Sequence, residues 1–131
     1  MIRVLVSRAL EEALTEYEIK SLVAEFKCYK EGISLPSTFG KDVPYNHTHT
    51  LSTVKSEEIY HIHLDSDEYP GNIPQEMRTS DNHLVYCANF YSTDIYLLMA
   101  ILQPNAHQQA RDNSIMLNLA QMANNFRNKN F

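Results

Sequence analysis

The chain has 131 residues and a mass of 15.1 kDa, which predicts a single domain over residues 1–131. Hydrophobic residues make up 44% and charged residues 21%, a balance that excludes a disordered tail, a collagen-like fibre and a small disulfide scaffold. The formal net charge of −5 argues against tight binding of free nucleic acid through the whole surface, because an acidic chain gains little from counterion release.

Neither a membrane span nor a secretory signal is predicted. The longest apolar run, Ile95–Leu102, has eight residues, whereas a spanning helix needs about 20. The first residues lack the long apolar segment and cleavage site of a signal peptide. Cys28 and Cys87 have no partner at disulfide or metal-ligand spacing. We therefore expect a cytoplasmic protein with reduced thiols and no membrane contact.

In the first half of the chain the pattern predicts a strand, a helix and a long loop. Residues 2–6 are rich in β-branched side chains and predict a strand. Thr15 and Glu18 form a capping-box pair, which opens a helix that runs to about Glu31 and ends at Gly32. Residues 33 to about 54 contain two prolines and a glycine and are predicted to be a loop.

The second half predicts three further strands and a helix. Residues 59–64 alternate between apolar and polar positions, and His83–Tyr91 and Ile95–Leu102 are β-rich runs joined by a short hairpin connection. The second run is apolar on both faces and is expected inside the sheet. A last helix begins near Pro104, with apolar residues at spacings of four, three and four. The fold class is α+β: a mainly antiparallel four-stranded sheet with an N-terminal and a C-terminal helix.

Histidines are the candidates for chemistry. His61 and His63 lie on the same face of one predicted strand, and His83 begins the next. RNA cleavage by the 2′-hydroxyl needs a base, an acid for the leaving 5′-oxygen and a cation for the extra negative charge. We expect the three histidines to supply the first two roles and Arg111 or Lys55 the third. The alternative is that these imidazoles are only surface or hydrogen-bonding groups.

Candidates for RNA contact lie in three other parts of the chain. Lys41 follows a glycine turn, Tyr91 could stack on a base, and His107 lies four residues before Arg111. The candidates for RNA binding are Lys41, Lys55, Tyr91, His107 and Asp112. A turn built on Gly40 explains Lys41 without RNA. Arg111 and Asp112 could equally form an exposed charged stretch, or Asp112 could pair with another element.

A metal-dependent enzyme is the first alternative function. The pairs His47-x-His49 and His61-x-His63, or three of these histidines with Asp65, could bind zinc or nickel. The first pair lies among threonine and asparagine, with no cysteine or glutamate nearby. No metal or other cofactor is therefore predicted.

Six short blocks in order resemble the YafO family of toxins. They are FGKD at 39–42 with Tyr45 downstream, HIHL at 61–64, HLVYC at 83–87, LLMAILQP at 97–104, ARDN at 110–113 and MANNFR at 122–127. His61, His63, His83, His107, Arg111 and Asp112 fall in or beside these blocks. His47 and His49 depart from the family pattern, which weakens the four-histidine metal site.

The resemblance implies the toxin of a type II toxin–antitoxin system. Toxins of this family are ribosome-dependent mRNA endoribonucleases (mRNA interferases) that a co-expressed antitoxin neutralises, so the expected partners are an antitoxin, the ribosome and mRNA. The resemblance also implies kinship with small RelE-like α+β toxins. The acidic net charge fits an enzyme whose substrate the ribosome positions. A ribosome-binding inhibitor that cleaves nothing is the second alternative.

Overall fold

Among the residues that the structure describes, five strands form one mixed sheet. The computed structural model describes residues 1–47 and 50–131. The strands are β1 (Arg3–Val6), β2 (Phe39–Pro44), β3 (Tyr60–Leu64), β4 (His83–Ala88) and β5 (Ile95–Leu102). Their order across the sheet is β1-β5-β4-β3-β2. β1 is parallel to β5, and the other neighbouring pairs are antiparallel. The predicted α+β class is confirmed, whereas the predicted number of four strands is wrong.

Helices cover both faces of this sheet. They are α1 (Arg8–Ala13), α2 (Glu16–Lys30), α3 (Ser52–Ser56), α4 (Ala106–Gln109) and α5 (Asn113–Arg127), with a 3₁₀ turn at Gln75–Met77. The predicted capping box opens α2: the Glu18 N–H donates to Thr15 Oγ1 at 3.1 Å, and the Thr15 N–H donates to Glu18 Oε1 at 2.9 Å. Among the described residues, no helix has both the length and the apolar character needed to cross a bilayer.

Alternation along the strands divides the apolar core into two layers. On one face, Phe26 of α2 packs with Ile62, Leu84 and Leu98 of the sheet. On the other face, residues of α5 pack with a second apolar layer that includes Ile59, Val85, Cys87, Leu97 and Met99. Ile59 and Ile62 therefore lie on opposite faces, as the alternation of residues 59–64 predicts.

The strand missing from the prediction is β2, which lies inside the predicted loop of residues 33–54. Pro44 ends β2, and its register with β3 is irregular between Phe39 and Asp42. An edge strand tolerates proline because its outer N–H groups need no ladder partner. Proline, glycine and charged residues in this segment therefore led to the prediction of a loop where the structure has a strand. The helix α3 follows β2 within or just after the same segment.

Two other boundaries differ from the prediction because side chains cap the backbone. β4 ends at Ala88, not Tyr91, because the Asn89 carboxamide oxygen accepts the N–H groups of Tyr91 and Ser92 at 3.0 and 2.8 Å. The predicted last helix is divided into α4 and α5, and the Asp112 carboxylate accepts the N–H groups at the start of α5. Such local hydrogen bonds compete with regular structure.

Gly40 allows the segment after the 3₁₀ turn to cross β2. A Cβ at this position would collide with the Arg78 carbonyl oxygen and lie 2.9 Å from both Arg78 Cβ and Tyr69 Oη. The Lys41 N–H donates to that same carbonyl at 2.8 Å. The close approach fixes the segment that leads to β4, and hence the position of Ser80 and Asp81.

Candidate active site

Strand pairing brings the three predicted catalytic histidines together. His63 of β3 lies directly opposite His83 of β4, and His61 lies opposite Val85. All three side chains therefore project from the sheet face on which α5 packs. The ring centroids of His61 and His63 lie 4.3 and 4.6 Å from that of His83, and 5.4 Å from each other. We call these residues the histidine triad.

Tyr45 holds two members of the histidine triad. Its ring stacks on His61, with centroids 4.0 Å apart and planes 13° apart. Its hydroxyl lies 2.8 Å from His83 Nδ1. Burial raises the pKa of Tyr45, so the phenol stays protonated and can donate to that nitrogen or accept from it.

The Ser80 peptide fixes His63. Its N–H lies 2.8 Å from His63 Nδ1, and its carbonyl oxygen lies 2.9 Å from the same nitrogen. One neutral tautomer accepts the N–H, and the other donates to the carbonyl. Either tautomer of His63 therefore keeps a backbone hydrogen bond through Nδ1, which leaves Nε2 free of that contact.

Burial keeps the histidine triad neutral. The side chains are at most 5% exposed. Burial, and then the neighbouring imidazoles, lower the pKa of His61 to about 2 and that of His83 to about 3. Burial also lowers the pKa of His63. At neutral pH each ring therefore carries one lone pair that can accept a proton or bind a metal.

The histidine triad opens into a cleft of about 530 Å³. Lys41 of β2 and Arg111, between α4 and α5, also line it, and Arg111 is exposed. No aspartate or glutamate is among the described residues that line the cleft. The cleft therefore presents two cations and several imidazoles to an anion, although the chain as a whole is acidic.

His107 lies at the edge of the cleft and is held by Asp81. Its Nδ1 is 2.7 Å from Asp81 Oδ1, and its backbone N–H donates to the same oxygen at 2.9 Å. These hydrogen bonds lower the pKa of Asp81. The His107 ring lies 5.1 Å from His83 and 5.9 Å from His63, with its Nε2 left free by the pair with Asp81.

Three predicted RNA-binding residues lie outside the cleft. Lys55 is exposed on α3. Tyr91, 61% exposed, follows β4 and packs edge-on against Phe90. Asp112 caps α5. The cleft brings together His61, His63, His83, Arg111, Lys41 and His107. Their roles in catalysis and RNA binding stay predictions.

Sequence reasoning did not assign roles to Tyr45, Ser80 and Asp81. Tyr45 appears only in a family block, and Asp81 lies two residues before His83 with no pattern that marks a partner for His107. Of the histidines in the metal alternative, His47 lines the cleft and His49 lies outside the described residues. Among the described residues, the side chains close enough together to bind a metal are those of the histidine triad, and Asp65 is not one of them.

The histidine cleft occurs in a chain that matches a known toxin family. Residues 27–128 match the family model described as "Toxin YafO, type II toxin-antitoxin system". The chain belongs to the YafO toxin family. A relative from Escherichia coli (strain K12), the "mRNA interferase toxin YafO", is 38% identical over 95% of this chain and 97% of the relative. No solved structure matches. This membership confirms the predicted resemblance and the prediction that the chain is the toxin of a type II toxin–antitoxin system.

Proposed function

We propose that this YafO-family chain is a ribosome-dependent mRNA interferase that cleaves RNA in the histidine cleft without a metal. The observation that carries the proposal is one open cleft that holds neutral imidazoles, Lys41 and Arg111 together. The relative's name supports the activity. An antitoxin partner follows from the family, and the cytoplasm is the compartment in which both ribosome and mRNA are found.

The proposed reaction begins with a proton transfer from the 2′-hydroxyl to His63. When the Ser80 carbonyl accepts the Nδ1–H, His63 Nε2 carries the lone pair that takes this proton. The 2′-oxygen then attacks phosphorus, and the bond from phosphorus to the 5′-oxygen breaks. His107, oriented by Asp81, donates a proton to that oxygen. The products are a 2′,3′-cyclic phosphate and a 5′-hydroxyl.

Arg111 and Lys41 supply the positive charge that this reaction needs. The Arg111 guanidinium can donate two parallel hydrogen bonds to phosphate oxygens, which favours the extra negative charge on phosphorus. Lys41, which lines the cleft from β2, holds the flanking phosphate in this proposal. Two cations are few for tight binding of free RNA, and this supports delivery of the message by the ribosome.

The test is a map of RNA ends in a cell-free translation reaction with the purified chain. We expect new 5′-hydroxyl ends and 2′,3′-cyclic phosphates on translated messages only. We expect His63→Ala to lower the rate about 10²–10⁴-fold and Arg111→Ala about 10²-fold. Arg8→Ala, whose side chain is 92% exposed on α1, is the matched surface control and retains the rate.

Other outcomes would contradict parts of this proposal. Stalled ribosomes on intact messages would favour the non-cleaving inhibitor. Ends that carry a 5′-phosphate would exclude attack by the 2′-hydroxyl, and equal cleavage of untranslated RNA would exclude ribosome dependence. Full activity of both cleft variants would remove these residues from the mechanism.

A further inference from the structure

Two buried ring nitrogens of the histidine triad have no partner. They are His61 Nδ1 and His83 Nε2, which make no hydrogen bond with the described residues. A buried polar atom almost always has a partner, and leaving one without it costs about 1–3 kcal/mol. Two such atoms on touching rings indicate that a ligand can satisfy both.

The geometry of the triad suits a metal ion. Each histidine offers one nitrogen, and these atoms lie within 4.8 Å of one another. Tetrahedral zinc with bonds of 2.0–2.1 Å needs nitrogens about 3.4 Å apart. Strand pairing already holds the backbones of the three histidines next to one another, so side-chain rotation is the movement that binding an ion requires.

The surroundings of the triad match those of metal-bound imidazoles. A ligating histidine usually donates its other N–H to a carbonyl or a similar acceptor. His63 Nδ1 faces the Ser80 carbonyl oxygen at 2.9 Å, and His83 Nδ1 faces the Tyr45 hydroxyl at 2.8 Å. With Nδ1 of each ring engaged in this way, Nε2 is the nitrogen that remains to bind an ion. The outer contacts of a metal site are already present.

The donor set indicates the class of metal. Three neutral imidazoles suit zinc and related divalent transition metals, whereas magnesium and calcium prefer oxygen ligands. Three protein ligands leave a fourth position for water or a phosphate oxygen. That position would face the cleft, which the three histidines line together.

We propose that His61, His63 and His83 bind one zinc-class divalent ion and that this ion inhibits RNA cleavage by the same cleft. The second part rests on the proposed function. A coordinated nitrogen has no lone pair left for the proton of the 2′-hydroxyl, so metal binding and base catalysis at His63 exclude each other. Zinc would thereby switch the toxin to an inactive form.

The binding test needs no activity. The full chain is freed of metal and titrated with Zn²⁺ by calorimetry and with Co²⁺ by visible absorption. We expect one ion per chain, a tetrahedral Co²⁺ spectrum and a higher melting temperature with Zn²⁺. His61→Ala and His83→Ala should each weaken binding at least about 100-fold. Tyr45→Phe, which alters only the outer contact of His83, should weaken it about tenfold.

His107→Ala is the matched control for binding, because His107 borders the cleft but lies outside the metal-competent group. It should retain the stoichiometry and the affinity of the unaltered chain. No saturable binding by the unaltered chain would overturn the proposal even if a triad variant fails to fold. Equal weakening by His107→Ala would overturn the three-histidine assignment.

A second arm separates this inference from the proposed function. Cleavage is measured in the translation reaction with one equivalent of Zn²⁺, and then with a chelator selective for zinc over magnesium. We expect zinc to lower the rate at least tenfold and the chelator to restore it. Zinc that binds without changing the rate overturns inhibition. A chelator that abolishes cleavage overturns both inhibition by zinc and the metal-free mechanism, whereas the assignment of the metal-binding histidines is unaffected.

Discussion

The aromatic ring and the hydroxyl of Tyr45 perform different tasks in the cleft. The ring packs flat against His61, and the hydroxyl contacts His83 Nδ1. Tyr45 is 5% exposed, so water does not replace a lost contact easily. Without this hydroxyl, neither nitrogen of the buried His83 ring would have a hydrogen bond with a described residue. Tyr45 therefore controls the orientation of His61 and His83 without touching the reacting atoms.

We expect Tyr45→Phe to separate these two tasks. The variant retains the stack on His61 but leaves His83 Nδ1 without a partner, which costs about 1–3 kcal/mol of unfolding free energy. Cleavage should fall about tenfold through poorer orientation. Urea denaturation and the rate of message cleavage measure the two effects.

Two comparisons make this result specific to Tyr45. Tyr17→Phe removes the hydroxyl of a tyrosine on α2 that is 81% exposed and should change neither quantity. Tyr45→Leu removes the stack as well and should lower both more than Tyr45→Phe does. Equal values for Tyr45→Phe and the unaltered chain would show that the hydroxyl does not position His83.

At the scale of elements, the break between α4 and α5 places Arg111 at the cleft. Asp112 accepts the N–H groups of Ser114 and Ile115 at 2.9 and 3.3 Å, so α5 begins after it and Arg111 lies in the connection. If α4 and α5 formed one continuous helix, Arg111 would lie within it and not in a connection. The cap therefore explains both the boundary and the placement of the guanidinium.

We expect Asp112→Ala to lower the unfolding free energy by about 1 kcal/mol, the usual cost of a lost N-cap. Asp112→Asn retains an oxygen acceptor and should remain close to the unaltered chain, although it removes the charge. Thermal melting in the same buffer compares the two. A loss in Asp112→Asn as large as that in Asp112→Ala would assign the effect to charge and contradict the capping role.

Elements also differ in how far the sequence predicts them. α2 agrees with the prediction because its capping box and apolar stripe are local signals, and β3 agrees because its alternation is complete. The sequence did not predict β2, because Gly40 and Pro44 are poor strand formers. In the folded chain, pairing with β3 compensates for their low strand propensity. Pairing between residues distant in the chain leaves no local trace.

At the scale of the whole molecule, a partly buried polar network joins α2 to the sheet on the face opposite the cleft. Lys30 Nζ lies 3.6 Å from Asp42 Oδ2 and donates to Tyr86 Oη at 2.8 Å. The Tyr86 hydroxyl donates to Asp42 at 2.7 Å, and the Tyr29 hydroxyl does so at the same distance. Burial lowers the pKa of Lys30, and Asp42 opposes that effect.

We expect Lys30→Met to destabilise the fold by about 1–3 kcal/mol, because it leaves the partly buried Asp42 carboxylate without its cation. The double variant Lys30→Met/Asp42→Asn removes both charges and should lose less than the sum of the single variants. A double-mutant cycle of urea unfolding measures the coupling. Additive losses would mean that the pair does not interact. Lys20→Met, exposed on the same helix, is the matched control and should lose less than 0.5 kcal/mol.

The sequence by itself determined the class of the fold, the boundaries of α2, the shared face of His61 and His63, and the YafO resemblance that the family match confirmed. Each of these depends on residues close together in the chain or on short blocks in order. Only the tertiary structure decided the register that sets His63 against His83, the stacking of Tyr45 on His61, and the entry of Lys41 but not Lys55 into the cleft. The pair His63 and His83 and the stack of Tyr45 on His61 join residues 20 and 16 positions apart, and the cleft brings together Lys41 and Arg111, which are 70 positions apart. Such arrangements are fixed by how the whole core packs, not by any local pattern.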